Sequence, residues 1–173
     1  PGAAISAGGS TGPVSTNYDI NVATDVVAGL VARGVPNLDA ISLAAMNIAE
    51  TGGNFTGPGA VGDPTIQPGV DPVYGAYPGG SHGGFQWNRG RLANFMGQNQ
   101  GLLPEQTSMD TQLNFVVSEL TNAYKGMYAA AQSAPDLATK TAIYTGKYEV
   151  PADVQGQIPA RVGALQALYV AAR

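Results

Sequence analysis

Cysteine is absent from this sequence of 173 residues, and histidine occurs once, as His82. Without cysteine the chain forms no disulfide, no thiolate nucleophile and no cysteine-ligated metal site. A single histidine also excludes a zinc peptidase site, which is built on two histidines of one helix. The redox compartment is left open, because a chain without cysteine works in any compartment.

Charged residues are also scarce. They make up 12% of the chain, with eight Lys and Arg against twelve Asp and Glu, a formal net charge of −4. A nucleic-acid-binding domain needs a basic face, so this balance argues against a nucleic-acid partner. It also leaves no dense basic patch for a membrane surface, and no apolar run approaches the ~18 residues that a membrane span needs.

The sequence does contain enough apolar residues for one folded domain. Hydrophobic residues make up 44% of the chain, which is too apolar for a disordered protein. The first 17 residues are small and rich in glycine and proline, without the basic start and apolar core of a signal peptide. We predict a flexible linker or arm over residues 1–17, at the edge of a domain from a longer polypeptide, and a single domain over residues 18–173.

Helical periodicity covers most of this predicted domain. The predicted helices run over residues 20–33, 37–50, 91–95 and 108–132, then from a capping box at 133–136 to about residue 148, and finally over 155–172. Asn37 is the predicted N-cap of the second helix, and Gly52-Gly53 is its predicted end.

The stretch between residues 54 and 84 has a different character. Glycine and proline recur every few residues there, which excludes a helix. We predict that residues 65–67 and 73–76 pair as a small hairpin. The predicted fold class is therefore α+β, predominantly α-helical, with a small Gly/Pro-rich β-hairpin or loop lobe.

Glu50 stands at the C-terminal end of the second predicted helix, between Asn47 and Asn54 in the run NIAETGGN. There it faces the negative end of the helix dipole, at a cost of roughly 0.3–1 kcal/mol. This position disfavours the charged carboxylate and favours the protonated acid. A general acid for glycoside cleavage needs that proton for the leaving oxygen. The alternative interpretation is a solvated carboxylate at a frayed helix end.

Four segments and one arginine carry a resemblance to a known family. In chain order they are residues 45–54 (AMNIAETGGN), 83–91 (GGFQWNRGR), 112–120 (QLNFVVSEL), 144–151 (YTGKYEVP) and Arg161. They resemble a catalytic helix end, a Gln-Trp segment with the arginine-bearing helix after it, a long helix, an aromatic-Glu-x-Pro element and an arginine of the following helix. This ordered set is similar to that of the phage-tail lysozymes, which belong to the lysozyme-like superfamily and are related to lytic transglycosylases.

The resemblance covers roughly residues 20–172 and implies a lysozyme-like fold. It implies a muramidase that cleaves the β-1,4 bond between N-acetylmuramic acid and N-acetylglucosamine in peptidoglycan, with Glu50 as the catalytic acid. Such a domain would belong to a phage virion or tail protein and act on glycan strands of the bacterial cell wall, from its periplasmic or extracellular side. No metal or organic cofactor is implied. The alternatives are a lytic transglycosylase on the same scaffold and a non-catalytic wall-binding tail module.

The identity of a second active-site carboxylate is open. The sequence departs from the family pattern at Thr51, where serine is usual, and over residues 57–81, which are longer and richer in proline. Asp63 and Asp71 lie in that stretch and are the candidates for positioning the attacking water. Each is alternatively a turn aspartate that caps local backbone amides. Some lysozyme-like enzymes work with one glutamate, so a second carboxylate is not required.

Four side chains are predicted to line the substrate cleft. Gln86 offers an amide that can bond sugar hydroxyls, and Trp87 offers a flat indole face to a pyranose. Tyr144 and Tyr148 lie four residues apart on one helical face, and the resemblance places an aromatic residue of this region over the glutamate. For the three aromatic residues the alternative is packing in the core.

Three further charged residues of the family-like segments are predicted to be structural. Glu149 and Arg161 are expected to form an ion pair with each other. Glu119, in the middle of the predicted long helix, is expected to be a buried structural carboxylate, with a solvated position as the alternative.

Overall fold

The computed structural model describes residues 16–149 and 154–171, so the arm predicted for residues 1–17 lies almost wholly outside it. The described helices are α1 (Thr16–Ala32), α2 (Asn37–Thr51), α3 (Arg89–Gln98), α4 (Met109–Thr121), α5 (Lys125–Ser133), α6 (Leu137–Tyr144) and α7 (Val154–Ala171). The strands are β1 (Val61–Gly62), β2 (Gly69–Asp71), β3 (Gly75–Tyr77) and β4 (Ser81–His82). Two short 3-10 helices, Pro58–Ala60 and Pro104–Gln106, and a π-helical turn, Thr145–Glu149, complete the described elements. The expected class, predominantly helical α+β, is confirmed.

Helix α2 is the central helix of the domain. Its residues from Asp39 to Ala49 are all buried. A helix without a solvated face has to be covered on every side, and α1, α6 and α7 pack around it. The helix ends at Gly52 as predicted: this glycine has a φ of 64°, and its N–H donates to the Ile48 carbonyl at 2.8 Å. None of the described helices is both long and apolar enough to cross a membrane.

The lobe that follows α2 contains the four strands. β1 pairs antiparallel with β4, and β2 pairs antiparallel with β3. The prediction of a strand over residues 65–67 is wrong, because β3 pairs with residues 69–71. Asp63 explains the difference: its carboxylate accepts from the Thr65 N–H, and its carbonyl accepts from the Ile66 N–H. These contacts make a local turn that takes the backbone out of strand pairing.

His82 fixes the base of the lobe to the helical part. Its buried ring lies between two acceptors, with Nδ1 2.8 Å from Glu105 Oε1 and Nε2 2.8 Å from the Gly79 carbonyl. Its backbone exchanges hydrogen bonds with Trp87, which closes the loop of residues 83–86. The one histidine of the chain therefore has a structural position.

The helix predicted over residues 108–132 is two helices, α4 and α5. The break lies at Asn122, with φ −121° and ψ −92°. Two side chains at the break bond back to the helix: Thr121 Oγ1 donates to the Val117 carbonyl at 2.8 Å, and Asn122 Nδ2 donates to the Ser118 carbonyl at 2.8 Å. Such side-chain hydrogen bonds compete with the backbone hydrogen bonds of the helix. Apolar periodicity alone does not reveal this competition.

Two predicted caps are wrong in position. Asn37 is the first residue of α2, and Pro36 occupies the cap position without a side-chain hydrogen bond. Helix α6 is capped by Asp136 and not by Ser133, which is the last residue of α5. The Asp136 carboxylate accepts from the Thr139 N–H at 2.7 Å, which is the usual N-cap contact.

Removing this cap should give a pH-dependent loss of stability. Hydrogen bonds from Thr139 hold the pKa of Asp136 below its ordinary value. The stabilisation is therefore present above the unfolded pKa of about 4 and is lost as pH falls through the lower folded pKa. We expect Asp136→Ala to lower the urea midpoint at neutral pH and the deficit to close near pH 2. Asp136→Asn, which retains a cap oxygen, is the control; an equal deficit for Asp136→Ala at both pH values would contradict carboxylate capping.

Candidate active site

Glu50 lies where the buried helix α2 reaches the surface. The residues before it in the helix are buried, whereas 14% of the Glu50 side chain is exposed. The left-handed Gly52 turns the chain away directly afterwards. The carboxylate is thus held by a helix end that is itself fixed in the core, and it is partly accessible to a ligand.

Arg161 of α7 is the ion-pair partner of Glu50. Its fully buried guanidinium donates from Nη2 to Glu50 Oε1. Glu50 Oε2 accepts no hydrogen bond from the described residues. The carboxylate therefore faces a buried positive charge as well as the negative end of the α2 dipole. The Glu149 side chain, expected to pair with Arg161, lies outside the described residues.

Asn47, one turn before Glu50, ties α2 to the loop that carries Gln86. Its Nδ2 donates to the Gly84 carbonyl at 2.8 Å, and the Gly84 N–H donates to Gln112 Oε1 at 2.9 Å. A Cβ at Gly84 would lie 2.6 Å from the Phe55 ring and 2.9 Å from Asn47 Nδ2, so the close approach requires glycine. The end of α2 and this loop are therefore held together.

Gln86 crosses the base of the lobe and is partly exposed. Its Nε2 donates to the carbonyls of Ala60 and Gly83, each at 3.0 Å. Its backbone has a φ of 54°, in the left-handed region. A Cβ at Gly62 would collide with the Gln86 Oε1, so the amide packs directly on β1. Of the four predicted cleft residues, Gln86 is the one with an accessible side chain.

Trp87 and Tyr148 lie in the core and bond the same carboxylate. Trp87 is fully buried and stacks on Phe95, and its Nε1 donates to Glu119 Oε1 at 2.8 Å. The Tyr148 hydroxyl donates to the same oxygen at 2.7 Å. Arg91 completes the cluster through Nε to Oε2 at 2.7 Å and Nη2 to Oε1 at 2.9 Å. In this conformation the two rings present no face to a ligand, as in the packing alternative, and Glu119 is a buried structural carboxylate.

Tyr144 is also buried, in a second polar cluster. Its hydroxyl donates to Asp39 Oδ1 at 2.8 Å, and Lys140 Nζ lies 3.2 Å from Asp39 Oδ2. Burial, together with the Asp39 carboxylate, raises the pKa of Tyr144 far above its ordinary value. The phenol therefore stays neutral and serves as a hydrogen-bond donor within the helical core.

Asp63 and Asp71 both cap turns of the lobe. Asp63, with a φ of 45°, accepts from the Thr65 N–H at 3.3 Å. Asp71 Oδ1 accepts from the N–H groups of Val73 and Tyr74, each at 2.8 Å. These are the contacts of the turn alternative. Asp71 Oδ2 also packs on Gly90, where a Cβ would collide with it, so this carboxylate lies at the start of α3.

Two residues near Glu50 have contacts that the sequence patterns did not predict. Arg161, predicted to pair with Glu149, pairs with Glu50, and an arginine as the one charged residue of α7 signals a buried acidic partner. Asn47 carries no predicted role of its own beyond its place in a motif, and a polar residue in a helix that is buried on every side is the corresponding signal. Within the described part of the chain, no three His, Asp or Glu side chains cluster as a metal site requires.

The domain is mostly helical, with a small β lobe and a glutamate at the end of its central helix, as expected for the lysozyme-like fold. A scan of protein families matches residues 22–169 to the family described as phage tail lysozyme, and the chain belongs to that family. The resemblance seen in the sequence is thereby confirmed. Searches of the curated proteins and of the solved structures find no significant match. Family membership indicates a peptidoglycan-cleaving, cell-wall lytic domain associated with a phage tail.

Proposed function

We propose that this domain is a muramidase, a glycoside hydrolase that uses Glu50 as its general acid on the β-1,4 bond between N-acetylmuramic acid and N-acetylglucosamine. The observation that carries the proposal is the carboxylate at the end of α2. One oxygen is held by the buried Arg161, and the other accepts no hydrogen bond from the described residues. A fixed acid with one accessible oxygen is the arrangement that general acid catalysis needs.

In the proposed reaction, the proton on Glu50 Oε2 passes to the glycosidic oxygen as the bond from C1 of the muramic acid breaks. Water adds to C1, and its second proton returns to the carboxylate. Arg161 stabilises the carboxylate formed when the proton leaves. General acid catalysis requires that Glu50 carry this proton in the complex with the glycan.

The proposed cleft runs past Gln86, which is tied to the end of α2 through Asn47 and Gly84. We assign Gln86 to substrate binding. Trp87, Tyr144 and Tyr148 are assigned to support of the cleft from behind, because they are buried. If the domain is part of a larger virion or tail polypeptide, that polypeptide raises its local concentration at the wall.

One observation favours a second candidate, a lytic transglycosylase. Asp63 and Asp71 are both engaged by turn amides, which leaves Glu50 as the carboxylate assigned to the chemistry. An enzyme with a single acid can use the 6-hydroxyl of the muramic acid in place of water and close a 1,6-anhydro ring. The two reactions break the same bond and differ in the new end of the strand.

Mass spectrometry of the products tests the proposal. Digestion of purified peptidoglycan should yield soluble fragments that end in a reducing, hydrated N-acetylmuramic acid. Fragments that end in the 1,6-anhydro sugar, lighter by one water, would assign the transglycosylase. New reducing N-acetylglucosamine ends would contradict both, and walls that bind the domain without any fragment release would indicate a wall-binding module.

A further inference from the structure

Arg89 differs from the other arginines of the described chain. Arg33, Arg91 and Arg161 each pair with a carboxylate, namely Asp110, Glu119 and Glu50. Arg89 is exposed and forms no ion pair or hydrogen bond with the described residues. The chain has only eight Lys and Arg residues. An exposed guanidinium that pairs with no carboxylate of the described residues can bind an anion from outside the protein.

The backbone at Arg89 is in an unfavourable conformation for its residue type. Its φ is 48°, in the left-handed region that glycine adopts at little cost and arginine does not. The contact between Asp71 and Gly90 holds the next residue closely against the lobe. Residues other than glycine that adopt the left-handed backbone conformation are concentrated at ligand sites. There the function of the side chain offsets the conformational free energy that its backbone costs.

Arg89 also belongs to the loop that is tied to Glu50. This loop is joined to α2 by Asn47 and Gly84, contains Gln86, and ends at Arg89. Gln86 and Arg89 are both left-handed and lie three residues apart. The accessible amide assigned to the glycan and the guanidinium of Arg89 therefore stand on one loop that is tied to the end of α2 through Gly84.

We infer that Arg89 binds a carboxylate of the stem peptide attached to the glycan strand, and thereby selects peptide-bearing strands. This inference rests on the proposed function. In a peptide-bearing strand the lactyl carboxyl of each muramic acid forms the amide bond to the stem peptide, so the sugars there are uncharged. The stem peptides themselves carry carboxylates, which a guanidinium binds with two parallel hydrogen bonds. An extended peptide of five residues spans up to about 17 Å, so Arg89 need not touch the scissile bond.

The test is a binding measurement that does not depend on cleavage. In a Glu50→Gln background, calorimetry compares soluble glycan strands that carry stem peptides with the same strands after their peptide carboxylates have been converted to amides. We expect Arg89→Gln to weaken binding of the unmodified strands about tenfold and to leave binding of the amidated strands unchanged. Lys125→Gln is the matched control, because Lys125 is likewise an exposed cation without a described partner, on α5.

Two further variants separate binding from structure. Arg89→Lys should retain part of the affinity, and Arg89→Gly should lose it while raising the thermal midpoint, because glycine relieves the left-handed backbone. Equal weakening on both kinds of strand, or none on either, would overturn the inference. A loss seen only with walls that still carry teichoic acid would overturn it too, by indicating a phosphate. Cleavage by the chain with Glu50 intact tests the proposed function separately.

Discussion

The Glu50→Gln variant should clear purified cell walls about 10²–10⁴-fold more slowly than the unaltered chain. The amide has the size of the acid but delivers no proton to the glycosidic oxygen. Its side-chain oxygen can still accept the hydrogen bond from Arg161 Nη2, so the end of α2 should stay in place. The loss should therefore appear in the rate of cleavage, while the fraction of protein that co-sediments with walls stays the same.

The matched control for this experiment is Asp110→Asn. Asp110 also pairs with an arginine Nη2, that of Arg33 at 3.2 Å, but its side chain is 76% exposed at the start of α4. The two variants make the same change of charge, and each removes the negative partner of an arginine, in an exposed pair for Asp110 and in a buried pair for Glu50. Turbidity loss should be normal for Asp110→Asn. Clearing by Glu50→Gln at the rate of this control, with a normal circular dichroism spectrum, would remove Glu50 from the chemistry.

The parts of this fold that the sequence predicts are those set by neighbours along the chain. Helix α2 follows from its apolar run, and its end follows from Gly52, which takes the left-handed conformation that most residues avoid. Glu50 could be singled out because an acid is out of place at that helix end. The resemblance to the phage-tail lysozymes rests on the order of several segments along the chain, because no single residue is specific for the family.

The parts that it does not predict depend on contacts distant in sequence. The pair of Glu50 and Arg161 joins residues 111 positions apart, and no local pattern specifies it. The break at Asn122 depends on side-chain hydrogen bonds that apolar periodicity does not detect. Trp87 was considered both for the cleft and for the core, because an indole suits either place and only its donor contact with Glu119 locates it.

The segments that resemble the family meet at two buried polar groups. Gln112 accepts from the Gly84 N–H and donates to the carbonyls of Phe55 and Pro104, at 2.8 and 2.7 Å. Glu119, two turns later on α4, accepts hydrogen bonds from Trp87 and Arg91 of one such segment and from Tyr148 of another. Much of the shared sequence pattern therefore supports the position of the site and does not contact the substrate. This separation of roles gives a second, contrasting prediction.

Glu119→Ala should lower the free energy of unfolding by about 3–5 kcal/mol, because it leaves the Arg91 charge and two buried donors without their acceptor. The thermal midpoint should fall by roughly 10 °C for a domain of this size. Asp110→Ala on the same helix is the control: its exposed pair should be worth less than about 1 kcal/mol. Differential scanning calorimetry measures both.

Activity should separate Glu119 from Glu50. Glu119→Gln keeps an oxygen for Trp87 or Tyr148 but loses the charge that faces Arg91, so its thermal midpoint should be lower than that of the unaltered chain. When it is assayed well below this midpoint, it should clear walls at a near-normal rate. Glu50→Gln also removes a counter-charge, that of the buried Arg161, so its midpoint should fall as well, but it should show almost no clearing even when assayed well below that midpoint. A Glu119→Gln domain that is folded and yet inactive at low temperature would mean that this carboxylate takes part in the reaction. The buried cluster would then have to open during turnover, because Trp87, Tyr148 and two nitrogens of Arg91 all donate to Glu119 in this structure.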